Sequence, residues 1–152
     1  TQLREAGVNP HLEIFGVVFL RFRPVPRLWC VWLVGVNLAC LLFIAQVEAQ
    51  VVLVVTAIAV IVQTLIYQRI GFTRILGVAH VLWLPMFAWM AGRIADIAER
   101  PDLARWLALL VATNLASAAV DTVDVVRFLR GERAPHYCWK QASQVDRFGA
   151  AA

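Results

Sequence analysis

Residues 51–67 read VVLVVTAIAVIVQTLIY, seventeen positions without one charged side chain. Val and Ile favour strands, so a shorter run of this kind would fit a buried strand of a soluble protein. This run is too long and too apolar for that. A helix crossing a bilayer hides both its side chains and its backbone polar groups. Three further runs share its character: about Leu28–Val47, Ile75–Ala91 and Trp106–Val126. Roughly twenty residues suffice to cross a hydrocarbon core of about 30 Å.

Composition agrees. The chain is 61% hydrophobic and 16% charged, where soluble domains sit near 45–50% and about 25%. Mean hydropathy is +0.72. A soluble domain of 152 residues can bury one core, but it cannot hide four such runs, so the solvent must be lipid. The expected fold class is all-α, an integral membrane four-helix bundle.

The flanks divide the chain into three parts. Residues 1–27 form a cytoplasmic N-terminal segment. Within it Asn9-Pro10 signals a helix start, and Leu12, Phe15, Val18 and Phe19 fall to one side. Pro24 and Pro26 stop any helix. A short amphipathic helix over about 10–20 is therefore expected in the membrane interface, because eleven residues cannot cross. Residues 28–130 hold the four crossings, and residues 131–152 form a cytoplasmic tail. Gln46–Gln50, with Glu48, reads as a tight polar turn. Asp102 is a candidate cap for the fourth helix, and Gly131 its stop. The start of the chain has no basic stretch, short apolar core and cleavage site in sequence, so no signal peptide is expected.

Orientation follows from the basic residues. Arg4, Arg21, Arg23, Arg27, Arg69, Arg74, Arg127, Arg130, Arg133, Lys140 and Arg147 fall on one side, and only Arg93, Arg100 and Arg105 on the other. The positive-inside rule puts both termini in the cytoplasm, in a bacterial-type inner membrane. The net charge of +4 thus reads as a topology and headgroup signal, with the lipid bilayer as partner. No basic and aromatic residues interleave as a nucleic-acid surface would require, so nucleic acid is not an expected partner. Trp29, Trp89 and Trp106 sit near span ends and read as interface anchors.

Chemistry concentrates in few places. Asn114, Ser117, Asp121 and Asp124 are spaced three, four and three apart, which puts them on one helical face. Small residues such as Ala112, Ala116 and Ala119 favour close helix packing there. A carboxylate within a span must face a partner, water or the protein interior. Asp121 and Asp124 could instead form structural ion pairs with Arg127, Arg69 or Arg74. His80 lies in the third span at a depth similar to Asp121. Asn37 and Gln63 fall in the same half, so each span offers one polar group at comparable depth. Such a set can line a polar pocket or merely hydrogen-bond between helices. Pro85 removes a backbone bond to Val81 and is expected to open space beside His80.

Cofactors and metals are not expected. Cys30, Cys40 and Cys138 form no paired motif and read as small apolar residues. Haem is disfavoured because His11 and His136 lie outside the spans. No phosphate-binding, zinc-hydrolase or serine-nucleophile motif is present. The ion- or proton-handling candidates are Asp121, His80, Asp124, Asn114, Asn37 and Gln63. The leading expectation is a small ion or proton channel, or transporter-like protein, working as a homo-oligomer. One alternative is an accessory or structural subunit of a larger membrane complex. Another is a membrane enzyme acting on a lipid-soluble substrate through Asp121, Asp124 and His80.

Overall fold

The computed structural model of the protein describes Gly16 and residues 24–132. The expected interfacial helix over 10–20, apart from Gly16, and the tail beyond 132 lie outside the described residues. Within them the chain is helical, with no strand. Four helices are long and apolar enough to cross a membrane: Pro24–Phe43, Val47–Ile70, Arg74–Ala91 and Pro101–Leu129. This is the make-up of a multi-pass membrane protein.

Two of the four change winding along their length. The first is α1 (Pro24–Leu38) followed by a 3₁₀ stretch, Ala39–Phe43. Pro24 and Pro26 open it, because the first helical turn needs no backbone donors. The second, α2 (Val47–Ile70), starts earlier than the sequence suggests. Its N-cap is Gln46, so Glu48 lies in its first turn instead of in a loop. An acidic side chain there complements the positive end of the helix dipole.

The third long helix begins as a 3₁₀ stretch, Arg74–Leu82, and becomes α3 at Trp83–Ala91. Pro85 explains the junction. It cannot donate to Val81, and it falls in the first turn of α3, where no donor is needed. The short α4 (Ile94–Ala98) leads to α5 (Pro101–Leu129). Asp102 does not cap α5: Arg100 holds the N-cap position and Pro101 the first helical one, while Asp102 pairs with Arg105. Gly131 closes the helix as expected. Its φ of 110° lets Gly131 N–H reach Phe128 O at 3.1 Å and Glu132 N–H reach Arg127 O at 3.1 Å, the two bonds of a Schellman motif.

The molecule is packed unevenly. The end of the first helix, the start of α2, α3 and the start of α5 share an apolar core built on Cys40, Val52, Met86, Leu107 and Leu110. Trp106 belongs to it. It is buried, stacks on Phe43 at 5.2 Å and donates Nε1–H to Val36 O at 3.0 Å. It is therefore a core residue and not an interface anchor, because α5 starts five residues before it. Elsewhere the apolar side chains point outward. Only 22% of the most apolar stretch of Val47–Ile70 is buried within the protein, and Val54, Ile58, Ile61 and Leu65 lie exposed. Such faces suit lipid, since large exposed apolar patches are rare on soluble monomers.

Candidate functional site

Between the opposite ends of the helices lies a cavity of about 490 Å³. Its walls come from the start of α1, the second half of α2, the Arg74–Leu82 stretch and the second half of α5. Trp29, Leu33, Val60 and Phe72 make much of the wall apolar, and Gln63, His80 and Asp121 give it a polar side.

The winding of the third helix positions His80. In a 3₁₀ helix residues i and i+3 lie one above the other, so His80 sits over Trp83. Their rings stack at 4.1 Å and 12°, which fixes the imidazole plane. Asp121 approaches from α5, where Gly77 makes room. A Cβ at Gly77 would fall 2.7 Å from both Cβ and Oδ1 of Asp121, so only glycine permits this approach. The His80 Nδ1 to Asp121 Oδ2 distance is 2.7 Å, and Gln63 Nε2 lies 2.9 Å from His80 Nε2.

These partners select one arrangement for neutral histidine. Nδ1–H donates to the carboxylate, and Nε2 accepts from the Gln63 amide. A proton added to Nε2 makes it a donor, and Gln63 must then turn its amide oxygen toward the ring. The Gln63–His80–Asp121 chain can thus hold a proton in two hydrogen-bonded states. His80 and Asp121 also border a shallow outer groove of about 210 Å³ between the Arg74–Leu82 stretch and α5, whose wall includes the exposed Val81, Leu84 and Val126.

The remaining candidates separate from this chain. Asp124 pairs with Arg74, which also meets Glu132 at 3.3 Å. Glu132 binds Arg127 at 3.0 Å. The two carboxylates in the second half of α5 thus have different company, Asp121 a histidine and Asp124 an arginine. Asn37 does not join His80. It forms a reciprocal amide pair with Asn114, at 2.9 and 3.2 Å, and accepts from Thr56 Oγ1 at 3.4 Å. This layer lies where the cavity meets the packed core.

A second polar cluster was not anticipated. Glu48 is fully buried and accepts from Arg93 Nε at 3.1 Å and from Arg100 at 2.8 and 3.1 Å. Gln46 also accepts from Arg100. The hydrogen bond to Glu48 is the main cause holding the Arg100 guanidinium above its ordinary pKa. Two of the three arginines on that side of the chain therefore share one buried carboxylate. The signal was present in sequence: Glu48 is a lone acid between two apolar runs, facing a loop that carries Arg93 and Arg100.

Among the described residues, no three His, Cys, Asp or Glu side chains are grouped to hold a metal ion. No family model, curated protein or solved structure matches the chain.

Proposed function

We propose that this chain is a four-helix bundle of a bacterial-type inner membrane, with both termini cytoplasmic, that handles protons at Gln63–His80–Asp121 as a channel or transporter-like protein. The observation that carries the reading is the hydrogen-bonded chain Gln63–His80–Asp121 in the wall of the large cavity: a histidine–carboxylate pair from two helices, oriented by an amide from a third. Ionisable groups within membrane helices are rare, face the protein interior or water, and serve in ion pathways and proton relays. The basic-residue asymmetry supports the orientation.

In this reading His80 alternates between its neutral and protonated forms, Asp121 stabilises the added charge, and Gln63 follows by turning its amide. A single copy offers no continuous polar path, because the Cys40–Leu110 core fills the half beyond the Asn37–Asn114 pair. Conduction would therefore use a seam between copies. The outer groove, with Gly77, Ala118 and Thr122 in its wall, offers the small side chains that let membrane helices approach.

The test is proton flux into liposomes containing the full chain. Asp121→Asn should reduce flux at least tenfold, because an amide cannot stabilise the imidazolium. Asp124→Asn should stay within about threefold of wild type, because Asp124 serves Arg74 instead. Equal behaviour of wild type and Asp121→Asn, including no flux from either, overturns the proposal. Reporter fusions after Glu48 and at the tail should report opposite compartments.

A further inference from the structure

The four long helices carry four acidic residues, and three of them are held by arginine. Glu48 has Arg93 and Arg100, Asp102 has Arg105, and Asp124 has Arg74. Asp121 meets no guanidinium among the described residues; its partner is His80. When His80 is neutral and donates Nδ1–H to Oδ2, the carboxylate keeps its full charge. Its Oδ1 takes no hydrogen bond among the described residues. A carboxylate at membrane depth without a counter-charge is costly, so Asp121 favours any cation that can reach it.

The cavity decides which cation that is. Its charged wall residues are Asp121, Asp124 and Arg74, two carboxylates to one guanidinium. That guanidinium already serves Asp124 and Glu132, so an entering anion meets net negative charge. A bare metal ion is poorly served too, since no three His, Cys, Asp or Glu side chains are grouped to hold one among the described residues. Much of the remaining wall is apolar, with the rings of Trp29 and Phe72 beside Leu33 and Val60. At about 490 Å³ the space falls within the range of small-molecule sites, about 300–1,000 Å³. Trp29 is 39% exposed, so a molecule arriving from lipid meets a ring at the edge. Aromatic faces attract organic cations. A charge wrapped in hydrocarbon therefore suits both the carboxylate and the wall.

We propose that the cavity binds a lipophilic organic cation with aromatic groups: its charge sits against Asp121, its rings lie against Trp29 and Phe72, and it competes with the proton that His80 can hold. This inference rests on the proton-handling reading, since cation and proton answer the same carboxylate. The exchange balances: an imidazolium at His80 gives one proton to water as the cation enters, Asp121 stays ionised, and no bond but that N–H breaks. Among the described residues, the charged groups facing His80 around the cavity are Asp121 and Asp124 from α5 and Arg74 from the stretch that carries His80 itself. The first helix brings the Cys30 thiol, and α2 brings the Gln63 amide. Acid supplies, through His80, the charge that the ligand would bring, so binding weakens as pH falls.

The test is equilibrium binding of tetraphenylphosphonium to the full chain in nanodiscs of neutral lipid, less the uptake of empty nanodiscs. Tetraphenylborate has the same shape and the opposite charge. Wild type should bind the phosphonium saturably and the borate about a hundredfold more weakly. Phosphonium affinity should fall on acidification by up to about tenfold per pH unit. Asp121→Asn should weaken it by more than about tenfold and flatten its pH dependence. Asp124→Asn should stay within about threefold of wild type, because its carboxylate already serves Arg74. Trp29→Ala should cost about fivefold. The first two comparisons use wild type alone, so they stand even if a variant does not fold. No saturable binding, borate bound as tightly as phosphonium, an affinity indifferent to pH, or an Asp124→Asn loss equal to that of Asp121→Asn each overturns the proposal. Proton flux measured on the same protein separates the two readings. Flux without phosphonium binding overturns this inference alone. Binding with its pH dependence but without flux keeps the cation site and removes the channel or transporter reading.

Discussion

The two halves of the molecule treat charge in opposite ways. At one end Glu48 is buried completely and held by two guanidiniums that reach the surface. Behind it Cys40, Val52, Trp106 and Leu110 pack into one buried apolar core. At the other end Asp121 and His80 are paired but border a large cavity and an outer groove. A permanent ion pair next to a filled core has one state and serves to fasten helices. A histidine–carboxylate pair beside open space has two protonation states and room for them to be used. The difference teaches that a charge near lipid is not by itself a site: its partner and its surroundings decide.

The largest expected effect lies in the packed half. Glu48→Gln keeps the shape but removes the carboxylate that Arg93 and Arg100 share, leaving Arg93 only the more exposed Asp96. Breaking a buried pair costs about 3–5 kcal/mol. Both arginines are about a third exposed, so about 2–3 kcal/mol is expected here, read as a lower melting temperature in detergent. A change below about 0.5 kcal/mol would show that the cluster does not fasten the helices. Gly77→Ala comes next. The added methyl meets Asp121, and overpacking of this kind costs about 1–3 kcal/mol. It should also lower proton flux, and unchanged flux would mean that the His80–Asp121 distance is unimportant. Asn114→Ala, at the border between the halves, removes both bonds to Asn37. Interhelical hydrogen bonds in membranes average about 0.6 kcal/mol, so a loss of about 1 kcal/mol with flux retained is expected. Asp124→Asn should be the mildest, under about 1 kcal/mol, because Arg74 keeps Glu132.

Much of the packed half could not be read from sequence, for physical reasons. Hydropathy and length locate the four long helices well, since each run must satisfy lipid along its whole length. They do not locate helix ends. Glu48 was placed in a turn because a charge normally marks the edge of a span; its two arginine partners let it enter the first turn of α2. Trp106 was placed at the interface because the Asp102 region looked like loop, but Pro101 starts the helix earlier.

The site was more legible. Spacing in α5 put Asp121 and Asp124 on one face, and equal depth suggested the meeting with His80 and Gln63. Depth alone could not sort partners. Asn37 faces Asn114, and Asp124 faces Arg74, through helix rotations that sequence periodicity does not fix between helices. The roles of Gly77 and Trp83 were invisible because they follow from 3₁₀ winding in Arg74–Leu82, which has no pattern distinct from an α-helix at this length.

The most direct test measures proton flux and melting temperature together, in the same liposome preparations, for Asp121→Asn and Glu48→Gln. Flux is expressed per folded molecule. Asp121→Asn should lose at least tenfold in flux while melting near wild type. Glu48→Gln should melt at a clearly lower temperature while its folded fraction keeps wild-type flux. Retained flux in Asp121→Asn, or lost flux in folded Glu48→Gln, would contradict the division of the molecule into a fastening half and a working half.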